Sequence, residues 1–110
     1  MKTYQTTINP SVHHLSQVIS ELLPAKFNSK VNRDHLIQVI ENGNAIEIGL
    51  AAPYEEYLYK VEVDGNNVRI SKSEHYTDDV NSLAMEDVLT DIVIAFIGKE
   101  HIVSIEPSTN

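Results

Sequence analysis

Segment 61–70, Val-Glu-Val-Asp-Gly-Asn-Asn-Val-Arg-Ile, predicts a β-hairpin from which the rest of the chain can be interpreted. Asp, Gly and Asn at 64–67 favour a four-residue loop between two runs of alternating apolar and polar residues. This register places Glu62 opposite Arg69 on one face, a favourable cross-strand charge pair. A slip of one residue would break the charge pair and the apolar pairs together, so we expect a strongly specified register. The apolar pairs are Val63 with Val68 and Val61 with Ile70.

Further elements are predicted on both sides of this hairpin. Upstream, three apolar residues alternate with small or polar ones and predict a strand over 45–51. Downstream, apolar residues recur at helical spacing through 82–97, and Gly98 follows as a stop signal. The β-branched run Ile92–Ile97 offers an alternative, a buried strand. We predict one long helix, because all its stripe positions fit a 3.6-residue period, and then a final strand over 102–105.

The N-terminal part of the chain predicts one strand and two helices. Alternation over 3–8 indicates the strand. The first helix begins at the Asn9-Pro10 pair, since Asn caps helices and Pro suits the first helical position, and it ends at Pro24. The second helix covers 33–41, with Asn32 as its N-terminal cap.

The resulting element order, (β)ααβββαβ, is typical of an α+β fold. We predict a small antiparallel sheet of three to five strands with two or three helices on one face. At 110 residues the chain has the length of one domain, and we assign residues 1–106 to it. Residues 107–110 are predicted to form a loose C-terminal tail.

Composition indicates a folded, water-soluble protein. Hydrophobic residues make up 42% of the chain and charged residues 22%, which suits a globular domain and not a disordered one. The absence of cysteine excludes disulfides and thiolate metal sites and fits a reducing compartment. The first residues have no apolar core of signal-peptide length, and the longest apolar run, Ile92–Ile97, is far too short to span a bilayer. We therefore expect a cytoplasmic protein with no membrane partner.

Charge is distributed unevenly along the chain. Residues 1–40 carry four bases against two acids, a net charge of +2, whereas residues 41–110 carry fourteen acids against four bases, a net charge of −10. Six acids and no base lie between Glu74 and Asp91. Such a surface attracts basic proteins and repels phosphates, so direct nucleic-acid binding is disfavoured. The few bases at Lys26, Lys30 and Arg33 are interpreted as a solvated loop.

No motif for catalysis or cofactor binding is present in the sequence. The four glycines are isolated, which excludes a phosphate-cradling loop or a dinucleotide fingerprint, and no Gly-x-Ser-x-Gly elbow occurs. His13 and His14 are adjacent on a predicted helix, about 100° apart, so they cannot share an ion as an i, i+4 pair would. We expect them to face solvent, His35 to pack beside the second helix and His101 to lie in a turn. The prediction is a non-enzymatic protein without cofactor or metal.

The densest polar cluster, residues 74–79, has side chains of the types that bind divalent ions. Its spacing does not match a calcium loop, because no Asp-x-Asp-x-Asp-Gly run with a distal Glu is present. We interpret it as a solvated loop in which Asp78 or Asp79 caps the following helix. An ion or small molecule bound near His75 and Asp79 is kept as an alternative.

Two surfaces favour protein recognition. One is the tyrosine- and acid-rich segment before the hairpin, where tyrosine rings beside carboxylates suit an arginine-bearing partner, while Tyr57 and Tyr59 are expected in the core. The other is the outer side of the last helix, where Ile94 accompanies carboxylates and is either covered by another subunit or simply exposed. The predicted protein-binding residues are Glu74, Asp78, Asp79, Asp87, Asp91, Tyr54, Glu55, Glu56 and Ile94.

These observations lead to two functional hypotheses. The first is a small acidic binding domain, of inhibitor, immunity or adaptor type, that docks a negative surface onto a basic protein. That partner could itself bind nucleic acid, and the acidic surface would then mimic the charge of that nucleic acid. The comparison with nucleic-acid mimics is based on size and charge alone. The alternative is a structural or accessory domain that forms a homodimer or larger homo-oligomer and whose acidity serves solubility.

Overall fold

The computed structural model describes residues 2–50, 57–73 and 80–107. These residues form six strands, two α-helices and one short 3-10 turn. In chain order they are β1 (Lys2–Thr6), α1 (Val12–Val31), β2 (Ile37–Asn42), β3 (Ala45–Leu50), β4 (Tyr59–Asp64), β5 (Asn67–Lys72), α2 (Val80–Ile97), the 3-10 turn (Lys99–His101) and β6 (Ile102–Pro107).

All six strands belong to one antiparallel sheet with the spatial order β2-β3-β4-β5-β1-β6. Buried and more exposed residues alternate along β3, β4 and β5, so one face is apolar and the other is polar. Both helices pack on the apolar face, α1 over β2 and β3 and α2 beside it. The α+β class is confirmed, but the sheet has more strands than the three to five that we predicted.

The two helices run antiparallel to each other. The ring of His14, near the start of α1, lies edge-on to Phe96 near the end of α2, with 5.3 Å between ring centroids. At the other end of the layer, Lys30 of α1 reaches Asp87 of α2. Between these contacts, the apolar sides of both helices pack on the apolar face of the sheet and form one core with it. Its largest fully buried side chains are Tyr4, Tyr59, Phe27, Leu15, Ile19, Leu23, Ile46, Ile48, Leu58, Met85, Leu89 and Val61.

The hairpin formed by β4 and β5 has the predicted register. Val63 lies opposite Val68, Val61 opposite Ile70 and Glu62 opposite Arg69. The loop is shorter than expected, because Asp64 and Asn67 also pair and leave a two-residue turn. Gly65 has a φ of 61°, which only glycine adopts without steric cost and which such two-residue turns require.

Helix α1 begins and ends later than predicted. Ser11, not Asn9, is its N-cap, and the Ser11 hydroxyl accepts a hydrogen bond from the backbone N–H of His14 at 3.2 Å. Pro24 lies inside the helix, which continues to Val31. An internal proline costs about 3 kcal/mol. Full burial of Phe27 and Leu23 contributes about 1.5–3 kcal/mol each, which offsets that cost.

The predicted helix over 33–41 is wrong. Asn32 does not start a helix but ends α1 as its C-cap, in the left-handed conformation at a φ of 56°. Residues 37–42 instead form β2, which pairs with β3 across a two-residue turn at Gly43-Asn44. The physical reason is that β-branched residues prefer strands and that Gly43, with a φ of 64° at the first central position of the turn, favours a two-residue hairpin.

The C-terminal helix and strand are confirmed, and a strand over residues 92–97 is wrong. Ile92 and Val93 are buried on the same helical stripe as Met85, and α2 ends before Gly98, whose φ is 90°. Strand β6 extends to Pro107, so Pro107 belongs to the sheet and not to the tail. Residues 108–110 lie outside the described residues. Neither described helix is both long and apolar enough to cross a membrane.

Candidate functional site

The outer face of α2 is the part of the predicted binding surface that the structure describes. The inner stripe of α2 is buried against the sheet and α1, so residues on the opposite side face solvent. Asp87 and Asp91 both lie there, one helical turn apart, as the sequence predicts. Side chains at this spacing are neighbours, and two carboxylates therefore form a local acidic site on a rigid element.

Lys30 partly compensates this charge. Its ammonium Nζ lies 3.6 Å from Asp87 Oδ2, and the Asp87 side chain remains 70% exposed. Exposed ion pairs of this kind contribute little, on the order of 0–1 kcal/mol, and leave the carboxylate accessible to a stronger cation. Lys30 and Lys26 lie on α1 and not in a loop, which corrects the sequence interpretation. Asp91 is exposed and has no ion pair among the described residues.

Apolar side chains extend the same face toward the start of α2. Val80 is 77% exposed and Leu83 is 48% exposed. The spacing from Val80 through Leu83 and Asp87 to Asp91 is three, four and four residues, so these four lie along one side of the helix. The stripe Val80–Leu83–Asp87–Asp91, called the outer stripe below, thus combines two apolar contacts with two carboxylates. Val80 and Leu83 are not among the predicted binding residues, although their helical spacing from Asp87 places them on the same side.

Ile94 has a structural role within this chain. It is half-buried and packs against the hydrophobic core. Its position beside acidic residues is therefore explained by packing within this chain. The homo-oligomer alternative stays a prediction. Together with Asp91 and Lys99, Ile94 also lines a shallow depression at the end of α2.

Glu86 is acidic but lies at the interface between α2 and the sheet. The hydroxyl of Tyr59 donates to Glu86 Oε1 at 3.2 Å, and Lys72 Nζ lies 3.7 Å from the same oxygen. Burial raises the pKa of Tyr59 well above its ordinary value, and the neighbouring carboxylates raise it further. Tyr59 is buried as predicted, whereas Tyr57 is only half-buried. Glu86 therefore anchors α2 to the sheet and is not part of the outer stripe.

The remaining predicted site residues lie outside the described residues. They are Tyr54, Glu55, Glu56, Glu74, Asp78 and Asp79, and the alternative ion site at His75 falls there too. Their proposed roles stay predictions. Across 2–50, 57–73 and 80–107, no group of three or more His, Asp or Glu side chains is arranged to hold a metal ion.

Thr7, His101 and Glu100 form a hydroxyl–imidazole–carboxylate series that the sequence did not indicate. Thr7 Oγ1 lies 3.1 Å from His101 Nδ1, and His101 Nε2 lies 3.6 Å from Glu100 Oε1. All three side chains face solvent, where a carboxylate does little to activate a nucleophile. The backbone N–H of Thr7 also donates to the His101 carbonyl at 2.8 Å. We therefore assign the series a structural role, joining the end of β1 to the turn before β6.

The other histidines also make local contacts. His13 Nδ1 lies 2.9 Å from Glu41 Oε1 and links α1 to β2 at the surface, while His14 packs on Phe96. The ring of His35 lies beside Phe27, with 5.7 Å between centroids, so it packs as expected but against α1. None of these contacts brings two imidazoles together.

Comparisons with known proteins identify no relative. The chain matches no protein-family model, no curated protein and no solved structure.

Proposed function

We propose that this chain is a non-enzymatic, cytoplasmic protein-binding domain that docks the outer stripe of α2 onto a basic protein. The observation that carries the proposal is the combination of Asp87 and Asp91 with exposed Leu83 and Val80 on one helix face. Carboxylates steer the encounter with a basic partner, and apolar side chains supply contact area that excludes water. A helix supports this role better than a loop because its backbone is already ordered before binding.

The overall charge of the chain supports the same proposal. The formal net charge is −8. All eight lysine and arginine side chains belong to described residues, so the remaining residues add no further positive charge. A basic protein that binds nucleic acid would meet, on this domain, a pattern of negative charge similar to that of nucleic acid. An inhibitor or adaptor that occupies such a basic surface is the function we infer.

The test is affinity capture from source-cell lysate with quantitative mass spectrometry. The double variant Asp87→Lys/Asp91→Lys reverses the carboxylates of the outer stripe. The matched control Asp64→Lys/Glu106→Lys makes the same change of charge at two exposed acids on β4 and β6. We expect the α2 variant to lose the basic proteins that the wild-type chain captures, while the control retains them.

Binding should also depend on the apolar half of the stripe. Leu83→Ser should weaken capture of the same proteins without altering the net charge, and added salt should weaken wild-type capture. Equal capture by the wild-type chain and by a folded Asp87→Lys/Asp91→Lys variant would contradict the proposal. So would equal losses in the α2 variant and its control, since only total charge would then matter.

A further inference from the structure

Strand β2 forms one free edge of the sheet. It pairs with β3 on one side, and no strand of the described residues pairs with its other side. Its six residues pair with β3 without a bulge, and none of them is Pro or Lys. Bulges, prolines and lysines are among the features by which sheet edges avoid pairing with other chains, and Glu41 is the one charged residue of this strand. Within the part of the chain that the structure describes, this edge is therefore open to an additional strand.

The backbone groups that face this edge belong to Ile37, Val39 and Glu41. The carbonyl of Ile48 accepts from Leu58 N–H at 2.7 Å, so the backbone of Ile48 is directed toward β4 and away from β2. Val39 lies directly opposite Ile48, so its N–H and C=O are directed away from β3. Because the direction alternates along a strand, Ile37 and Glu41 share it, whereas Gln38 and Ile40 bond to β3.

Both faces of β2 carry apolar side chains, which is unusual for an edge. Ile37 and Val39 are half-buried on the helix-covered face. On the open face, Ile40 is 53% exposed, and Leu36, just before the strand, is 69% exposed. A strand paired along this edge would place its own side chains beside Ile40 and Leu36 and partly cover them. The composition of this edge therefore favours pairing with another strand.

The sequence of this edge is self-complementary about Gln38. When two copies of residues 35–41 are placed antiparallel with Gln38 opposite Gln38, Leu36 faces Ile40 and Ile37 faces Val39, twice each by symmetry. Glu41 then faces His35, so no like charges oppose each other. Centring the pairing on Val39 would instead place Gln38 against Ile40 and Ile37 against Glu41. Only the register at Gln38 matches every apolar residue with another.

We propose that β2 pairs antiparallel with β2 of a second copy of this chain, which joins two sheets into one of twelve strands. A two-fold contact requires a self-complementary surface, and the Leu36–Ile40 and Ile37–Val39 matches supply it. Ile37 and Val39 of each copy exchange backbone hydrogen bonds with Val39 and Ile37 of the second copy. The backbone of His35 is occupied by Asn28, which limits the ladder to these residues. This interface is separate from the outer stripe of α2 and independent of the function proposed for it.

Sedimentation velocity over a range of protein concentrations tests the pairing. We expect a monomer–dimer equilibrium for the full chain. Gln38→Lys places two positive charges across the two-fold axis and should weaken the dimer by roughly tenfold or more. Gln38 is exposed, so the variant should fold normally, and Gln17→Lys at an exposed position of α1 is the matched control. A mixture of Gln38→Lys and Gln38→Glu chains should dimerise again through opposite charges.

Amide hydrogen exchange identifies the interface directly. Protection of Ile37 and Val39 should rise with protein concentration, whereas Gln38 and Ile40, already bonded to β3, should be protected at every concentration. A chain that remains strictly monomeric at hundreds of micromolar would overturn the proposal. A dimer that Gln38→Lys leaves intact, with no change of protection at Ile37 and Val39, would also overturn it.

Discussion

Asn28 holds the backbone of His35 with both ends of its side-chain amide. Its Nδ2 donates to the His35 carbonyl at 3.1 Å, and its Oδ1 accepts from the His35 N–H at 2.9 Å. This pair of hydrogen bonds fixes the chain between the end of α1 and the start of β2. It replaces the contacts that a neighbouring strand would otherwise provide.

Loss of this amide should destabilise the fold. Asn28→Ala leaves two partly buried backbone groups unpaired, and we expect a loss of about 1–3 kcal/mol in the free energy of unfolding. Urea denaturation measures it, and Ser29→Ala, at the exposed neighbouring position, is the control. Equal midpoints for the two variants would show that the Asn28 hydrogen bonds contribute nothing net.

Removal of the internal proline of α1 should stabilise the protein. Pro24 lacks the N–H that would bond to the Ser20 carbonyl, and Ala is favoured over Pro in a helix by about 3 kcal/mol. Pro24 is half-buried, so Pro24→Ala also loses some packing, and we expect a net gain of about 1–2 kcal/mol. Thermal and urea unfolding measure it. Ala25→Pro, one residue on, should destabilise by about 3 kcal/mol, and a loss in both variants would contradict this account.

Alkaline pH should destabilise the fold through two buried phenols. Burial raises the pKa of Tyr59 and, by the same cause, that of Tyr4 above the ordinary value of 10.0. The neutral phenol is therefore favoured in the folded state. This contribution is fully present below pH 10 and is lost as the pH rises above 10 toward the folded-state pKa, by at most about 1.4 kcal/mol per pH unit for each phenol.

The measurement is urea unfolding at a series of pH values, with tyrosinate absorbance followed in parallel. Tyr59→Phe and Tyr4→Phe should each reduce the slope of stability against pH above pH 10, and the double variant should reduce it most. An unchanged slope in the double variant would assign the alkaline loss to other groups.

How much of this fold can be predicted from the sequence depends on how far apart in the chain the interacting residues lie. The β4–β5 hairpin was predicted in register because its turn residues and both sets of cross-strand pairs lie within ten residues. Helix α2 was predicted because its stripe repeats without error. The prediction of a helix over 33–41 is wrong because the local apolar spacing also fits a helix, whereas the turn at Gly43 and the pairing with β3 make these residues a strand. The predicted end of the first helix at Pro24 is wrong for a different reason. Whether a helix continues past a proline is decided by the burial of the residues beyond it.

The candidate site shows the same difference between features that depend on local sequence and features that depend on distant parts of the chain. Exposure of Asp87 and Asp91 followed from helical spacing alone. The ion pair between Asp87 and Lys30 could not be predicted, because it depends on two helices separated by four strands in the chain lying antiparallel. The edge position of β2 likewise depends on the order of all six strands. Its self-complementary sequence has no meaning until that order is known.

Charge pairs on the open face of the sheet should contribute to its register. Glu62 lies opposite Arg69, and Glu47 lies opposite Lys60 on the adjoining strand pair. Cross-strand pairs of opposite charge contribute about 0.2–1 kcal/mol each, and like charges at these positions are destabilising. Arg69→Glu should therefore lower the free energy of unfolding, and the swap Glu62→Arg/Arg69→Glu should restore most of the loss.

A double-mutant cycle in low salt measures this coupling between Glu62 and Arg69, and its repetition in high salt separates charge from packing. The cycle on Glu47 and Lys60 is the internal comparison, since both pairs are half-buried on the open face of the same sheet. We expect coupling of the same sign in both cycles and smaller values at high salt. Recovery that persists undiminished in high salt would show that side-chain packing, and not charge, fixes these pairs. No recovery in the swapped variant would contradict the proposed contribution of charge to register.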